Sequence, residues 1–223
     1  MKHFDAVIFD MDGTLLDTER VAQAAFILTC TELGLGPRMD LLLRCVGAAE
    51  PIARAIIRDG YGPAVDVDAF FAAWSRNFRA ANRITPAPLK DGALALLDAV
   101  ALLGLPMAIA TSTQTAHAVE RLQQAGVLPR FKAVIGADLV QKPKPDPEVY
   151  LQAAARLGVD PRACLALEDS EYGVRAAHAA GMTVIQVPDI TQPTTDLRAL
   201  GHIVLTSLKE VAGYPFTVET TDG

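Results

Sequence analysis

Five short apolar runs, separated by long segments with helical signals, constrain this chain more than any other feature. They lie at residues 6–9, 106–110, 133–135, 164–167 and 183–187. None alternates polar with apolar, and each is too short for a buried helix. Such runs suit strands covered on both faces, which are the strands of a parallel sheet. The intervening segments carry helix punctuation. Asp146-Pro147 offers an N-cap followed by proline at the first helical position, and Gly158 stops that helix after Leu157. Segments 91–103, 115–125 and 171–180 end on Gly104, Gly126 and Gly181 in the same manner. Strand and helix alternate, so the expected class is α/β, with a three-layer Rossmann-like core.

One interval breaks the alternation. Between residues 18 and 85 no run resembles a buried strand, and helical segments are expected at 18–33, 40–45, 51–59 and 66–81. The expected organisation is therefore an α/β core made of residues 1–17 and 86–223, interrupted by an all-helical cap at 18–85. The chain re-enters the core through Ile84-Thr85-Pro86-Ala87-Pro88, where the paired prolines favour extended backbone. A length of 223 residues falls between one and two ordinary domains, which fits a core carrying an insertion.

Composition narrows the function classes. With 51% hydrophobic and 21% charged residues the chain has material for a sizeable core. Its net charge of −6 removes the broad positive field that nucleic-acid polymers and anionic membranes attract, so small molecules are the expected partners. Cys30, Cys45 and Cys164 are odd in number and far apart, with no zinc-type spacing, and are expected to be reduced and mostly buried. The first ten residues hold only a four-residue apolar run between aspartates, far below a signal segment or a membrane span, so a cytoplasmic location is expected. A monomer is expected, with a dimer as the alternative.

The chemistry concentrates where the strands end. Asp10-Met11-Asp12-Gly13-Thr14 follows the first run, and ligands of open α/β sheets bind outside the carboxyl ends of strands. If the strand conformation persists, Asp10 and Asp12 point to one side. Two like charges so placed need a divalent cation, or one of them must keep its proton and serve as a general acid. An Asp-rich turn bent at Gly13 also explains this string taken alone. Three later strand ends add to it. Thr111-Ser112-Thr113 offers hydroxyls and N–H groups ahead of a helix, suited to phosphate oxygens. Lys142-Pro143-Lys144-Pro145-Asp146-Pro147 holds a lysine in a proline-stiffened segment, and Glu168-Asp169-Ser170 adds acids or helix caps. Four such features at successive strand ends are hard to obtain by chance.

With these four motifs in this order, the sequence resembles the haloacid dehalogenase superfamily, in its β-phosphoglucomutase-like and phosphoglycolate phosphatase-like branch, which carries a helical cap after the first motif. The resemblance implies that Asp10 is the nucleophile that forms an aspartyl-phosphate. It makes Asp12 the group that protonates the leaving oxygen and then activates water. Thr111 and the Ser112 N–H would hold the phosphoryl group, and Lys142 would balance its charge. Mg²⁺ would be held by Asp10, the Asp12 carbonyl and Asp169, with Glu168 a direct or outer-shell ligand. Ser112, Thr113 and Gln114 are the expected neighbours of the leaving group.

A phosphatase acting on a small phosphomonoester is the expected activity. The mutase branch places a histidine on the first cap helix and an arginine in the second cap segment. The corresponding positions here are Ala22 and the Gly47-Ala48-Ala49-Glu50 stretch. A catalytically silent phosphate-binding or regulatory protein is the non-enzymatic alternative. Phe70, Trp74 and Phe78 recur at i, i+4 and i+8 and are expected in the core of the helical bundle. The other reading puts one of them at the cleft, stacked on a sugar or base. Arg44, Arg54, Arg76, Arg79 and Arg83 are expected on solvated faces.

Overall fold

The computed structural model describes residues 3–214. Its centre is a six-stranded parallel sheet of β1 (Ala6–Phe9), β2 (Met107–Ala110), β3 (Ala133–Ile135), β4 (Cys164–Glu168), β5 (Thr183–Gln186) and β6 (Ile203–Val204), in the order β3-β2-β1-β4-β5-β6. Five of the six are the apolar runs expected from the sequence. The two-residue β6 lies in Ile203-Val204-Leu205, an apolar run no longer than 133–135 and outside the five expected strands.

Side chains alternate across the sheet, and the two faces differ in size. Val7, Phe9, Met107, Ile109, Leu165 and Leu167 point to one face. They meet α5 (Ala93–Leu102), α6 (Thr115–Gln124) and α10 (Leu208–Ala212), with Leu96, Leu97 and Val100 supplied by α5. The opposite face presents Ala6, Ala108, Ala110 and Ala166. Its partners are α7 (Glu148–Leu157), α8 (Glu171–Ala179) and α9 (Thr195–Arg198), and α7 meets it with Ala153 and Ala154. Small residues on both sides of that interface let α7 approach the sheet closely. The loop leading into α7 therefore passes directly beneath the end of β1.

Residues 19–84 form four helices, α1 (Glu19–Glu32), α2 (Met39–Cys45), α3 (Glu50–Tyr61) and α4 (Val67–Ile84), around a separate apolar cluster that includes Phe26, Leu41, Ile57 and Phe70. Phe26 meets Phe70 and Trp74 edge-on, with ring centroids 5.7 and 5.3 Å apart. The α4 helix runs three residues beyond the expected end at Ala81. It stops before Thr85, which is extended (φ −136°, ψ 94°) because it precedes Pro86. The α7 helix begins one residue later than expected, at Glu148, while Asp146 Oδ1 accepts the Glu148 N–H at 3.1 Å. The two connections to the sheet run side by side: the Asp17 N–H donates to Pro88 O and the Lys90 N–H to Leu15 O, at 2.9 and 2.8 Å. Among the described residues no helix is long and apolar enough to cross a membrane, and all three cysteines are free and buried.

The α5 face carries much of the larger core. Leu97→Ala, at a fully buried position, is expected to cost about 2–5 kcal/mol, measured as a shift in the midpoint of chemical denaturation.

Candidate active site

From β1 the chain goes to β2 and β3 on one side, then returns to β4, β5 and β6 on the other. Such a reversal opens a crevice at the carboxyl ends of the two central strands. Phe9 pairs with Leu167 in register, so Asp10 and Glu168 end adjacent strands side by side. The Asp10 N–H donates to Leu167 O at 2.9 Å. The strand stops there, and Gly13 turns the chain with φ +81°, a conformation that favours glycine. A Cβ at Gly13 would collide with Asp169 Oδ2, so the same glycine leaves room for that carboxylate.

Three carboxylates, Asp10, Glu168 and Asp169, are buried together with ligand atoms within 4.8 Å of one another. Their only cation among the described residues' salt bridges is Lys144, whose Nζ donates to Asp10 Oδ1 at 2.7 Å and to Glu168 Oε1 at 2.6 Å. Lys144 is itself 2% exposed. Burial opposes its charge, but the carboxylates of Asp10 and Glu168 hold it above the ordinary ammonium range. Tyr150 of α7 donates its hydroxyl to the same Glu168 oxygen at 2.6 Å, and its ring lies 5.1 Å from Lys144 Nζ. Glu168 Oε2 accepts the Asp169 N–H at 3.2 Å and the Ser170 hydroxyl at 3.1 Å. Glu168 is thus occupied by protein donors on both oxygens. Asp169 accepts the Thr14 hydroxyl on Oδ1 at 3.2 Å, and Gln186 Nε2 holds its main-chain oxygen at 2.8 Å.

Burial, joined by the charges of neighbouring carboxylates, pushes Asp10 and Asp169 well above the usual carboxylate range. Three acids against one ammonium leave two negative charges uncompensated when all are ionised. A divalent cation fits that deficit and the oxygen-only donor set.

The lysine at this site is Lys144, not Lys142. The run contains Lys-Pro twice, two residues apart, so extended backbone directs both lysines alike and their spacing does not separate them. Glu148, at the start of α7, decides between them. Its carboxylate accepts the N–H groups of Gln141 and Lys142, at 3.0 and 2.8 Å, and leaves Lys142 exposed outside the crevice. Lys144, two residues nearer the close-packed helix, enters it.

Asp12 lies apart from the buried trio. Its Oδ2 accepts the Thr113 hydroxyl at 2.7 Å and its Oδ1 accepts Arg121 Nη1 at 2.7 Å. Asp10 and Asp12 are thus paired with separate cations, Lys144 and Arg121, an arrangement the motif alone does not disclose, although the charge of Asp12 still helps raise the Asp10 carboxyl. Thr111 is buried, and its Oγ1 accepts the Thr113 N–H at 3.1 Å. Ser112 donates its hydroxyl to Gly47 O of the helical lobe at 3.2 Å. Gln114 stands exposed at the entry to α6.

Between lobe and sheet lies a cavity of about 580 Å³ whose wall includes Asp12, Glu19, Ala22, Phe78, Ser112 and Arg121. Of the four aromatic residues on α4, Phe70 is fully buried, Phe71 and Trp74 partly line the cavity, and Phe78 faces it with the Arg121 guanidinium over its ring, 4.6 Å from the centroid. Arg54 and Arg79 also line the cavity, although their residue type and helical setting do not distinguish them from solvated arginines. Burial, reinforced by the charges of Asp12 and Asp189, raises the Glu19 carboxyl to about 7.

The family model for haloacid dehalogenase-like hydrolases matches residues 4–181. The chain belongs to that family. Protein CbbY of Cupriavidus necator is 35% identical over 210 residues, covering 85% of this chain and 78% of that protein. The phosphorylated carbohydrates phosphatase of Thermotoga maritima is 31% identical over 212 residues, covering 93% and 96%. The crystal structure of CbbY from Rhodobacter sphaeroides in complex with phosphate superposes with a TM-score of 0.76 at 28% identity, covering 93% and 96%. Within the haloacid dehalogenase-like hydrolases this chain is an enzyme of the phosphatase kind.

Lys144→Met should lower aryl phosphate hydrolysis by about 10²–10³-fold, as expected for losing a positioned electrostatic group, while Lys142→Met leaves it nearly unchanged. Glu19 binds its proton more tightly folded than unfolded. It therefore contributes stability that is present below about 4.5, its ordinary value, and is lost as the pH rises through about 7. In metal-free buffer the denaturation midpoint of Glu19→Gln should improve relative to wild type as the pH rises from about 4.5 to 7 and level off above.

Proposed function

We propose that this chain is a Mg²⁺-dependent phosphatase that hydrolyses a small phosphorylated sugar or related metabolite through an aspartyl-phosphate on Asp10. The observation that carries this reading is the buried trio of carboxylates answered by a single ammonium. The phosphorylated carbohydrates phosphatase among the relatives supports the substrate class.

Asp10 and Asp169 would hold the cation, and the family resemblance adds the main-chain carbonyl of Asp12. Glu168, with both oxygens on protein donors, supports them from behind. When bound, the cation supplies the missing positive charge and polarises the phosphoryl oxygens.

The chain's own residues perform the transfer. Lys144 occupies Oδ1 of Asp10, which leaves Oδ2 to attack phosphorus. As that bond forms, the ester P–O bond breaks and the leaving oxygen takes a proton from Asp12. Water then attacks the aspartyl-phosphate and gives a proton back to Asp12, releasing phosphate and restoring Asp10. Thr111 Oγ1 is already accepting from Thr113, so its own O–H is free to donate to the phosphoryl group, beside the Ser112 N–H. Residues 18–85 serve as a cap that shields this chemistry from bulk water.

Hydrolysis is favoured over mutase chemistry by a specific residue. Ala22, where the mutase branch has a histidine, presents only a methyl group to the cavity. With no such group to retain and reorient a phosphorylated intermediate, water takes the phosphoryl group.

A panel of metabolite monophosphates assayed for phosphate release tests the reading. Turnover should vanish with a chelator and return with Mg²⁺, and Asp10→Asn should yield no covalent phosphoenzyme by intact-protein mass measurement. Full turnover without metal, or a labelled Asp10→Asn protein, would contradict it.

A further inference from the structure

We propose that Arg121 is the positioning residue for Asp12, and that it makes the placement of Asp12 depend on the helical lobe. The inference rests on the reading of Asp12 as the group that gives and takes the proton. Arg121 lies on α6, on the sheet side of the cavity, and is only 15% exposed at its side chain. Its Nη1 donates to Asp12 Oδ1 at 2.7 Å and lies 3.4 Å from Thr113 Oγ1, which donates to Asp12 Oδ2 at 2.7 Å. The carboxylate is therefore held at both oxygens by two side chains that also touch each other.

The two holds differ in kind. Arginine stays charged and has only donors, so Oδ1 is occupied in every protonation state of the site. The Thr113 hydroxyl is a rotor that can donate, accept or turn away. Oδ2 is thus the oxygen that exchanges the proton with the leaving group and with water, and Arg121 fixes where Oδ2 points. Arg121 carries out no bond-making step of its own.

The guanidinium is placed in turn by the lobe. One of its faces lies over Phe78 of α4, with Cζ 4.6 Å from the ring centroid. The contact joins α6 on the sheet to α4 on the lobe, and exists only while the lobe covers the site. Two further contacts cross the same boundary, Ser112 Oγ to Gly47 O at 3.2 Å and Asn82 Nδ2 to Gln124 Oε1 at 3.5 Å. Neither reaches Asp12. The aromatic residue at position 78 thus aligns the acid and base with lobe closure, so that Asp12 is set when water is excluded.

Leaving-group dependence separates this role from others. An aryl phosphate with a good leaving group needs little protonation, whereas a sugar or polyol phosphate needs it fully. Kinetics of Arg121→Met, Arg121→Lys and Phe78→Leu should be compared with wild type on p-nitrophenyl phosphate and on the best alkyl phosphate of the panel, with Mg²⁺. For Arg121→Met, kcat/KM, which covers only the steps up to departure of the leaving group, should fall about 10²-fold on the alkyl phosphate and no more than about threefold on the aryl one, while kcat falls on both because water attack on the aspartyl-phosphate also needs Asp12. Arg121→Lys should recover part of the alkyl rate, because an ammonium can still reach Oδ1 but does not present a flat face to Phe78. Phe78→Leu should show the same selectivity at smaller size, and these two variants decide the matter should Arg121→Met fail to fold.

Equal losses of kcat/KM on both substrates would overturn the proposal, since a structural role spares neither. A rise in KM confined to substrates bearing a second anionic group, with kcat retained, would also overturn it and make Arg121 a substrate ligand. Absence of wild-type turnover on any phosphate would instead refute the phosphatase reading beneath it.

Discussion

The double ion pair of Lys144 with Asp10 and Glu168 is the interaction on which the rest of the site depends. All three groups are almost wholly buried, where an unpaired charge would cost several kcal/mol. One ammonium cannot satisfy three acids, and the consequences spread outward. Glu168 collects Tyr150 and Ser170 as further donors, and Asp169 collects Thr14. The charge still unanswered lies between Asp10 and Asp169. The centre is therefore organised around a positive charge that the protein does not itself supply.

The fold makes this arrangement possible through sequence-level choices remote from it. Alanines at 108, 110, 153, 154 and 166 thin the interface between the sheet and α7. That closeness brings Tyr150 and Lys144 under β1, while the larger residues on the other face carry the bulk of the core. The reversal of strand order at β1 sets Asp10 beside Glu168. Residues 155 positions apart, such as Thr14 and Asp169, then meet within hydrogen-bond distance.

Much of this was legible in the sequence, because strands covered on both faces leave runs that need no partner to be recognised. The positions of Asp10, Glu168 and Asp169 follow from strand ends alone, and so does the helical interruption after the first strand. What was not legible depended on contacts across the chain. The Lys-Pro repeat gave two equivalent candidates, and only the capture of Lys142 by Glu148 separates them. Arg121 and Glu19 are ordinary helical residues by type and spacing. They acquire meaning from Asp12, which for Arg121 is 109 positions away. Phe78 shares a helical face with Phe70 in sequence, yet Phe70 lies inside the apolar cluster of the lobe while Phe78, two turns further along α4, lies outside it and lines the cavity.

The central claim is that the buried acids form a cation site, and thermal unfolding as a function of Mg²⁺ tests it without reference to turnover. A cation that binds only the folded chain raises the melting temperature progressively with its concentration. The expected result is a rise in Tm across the millimolar range for wild type that is lost in Asp169→Asn. A wild-type Tm indifferent to Mg²⁺ throughout that range would contradict it.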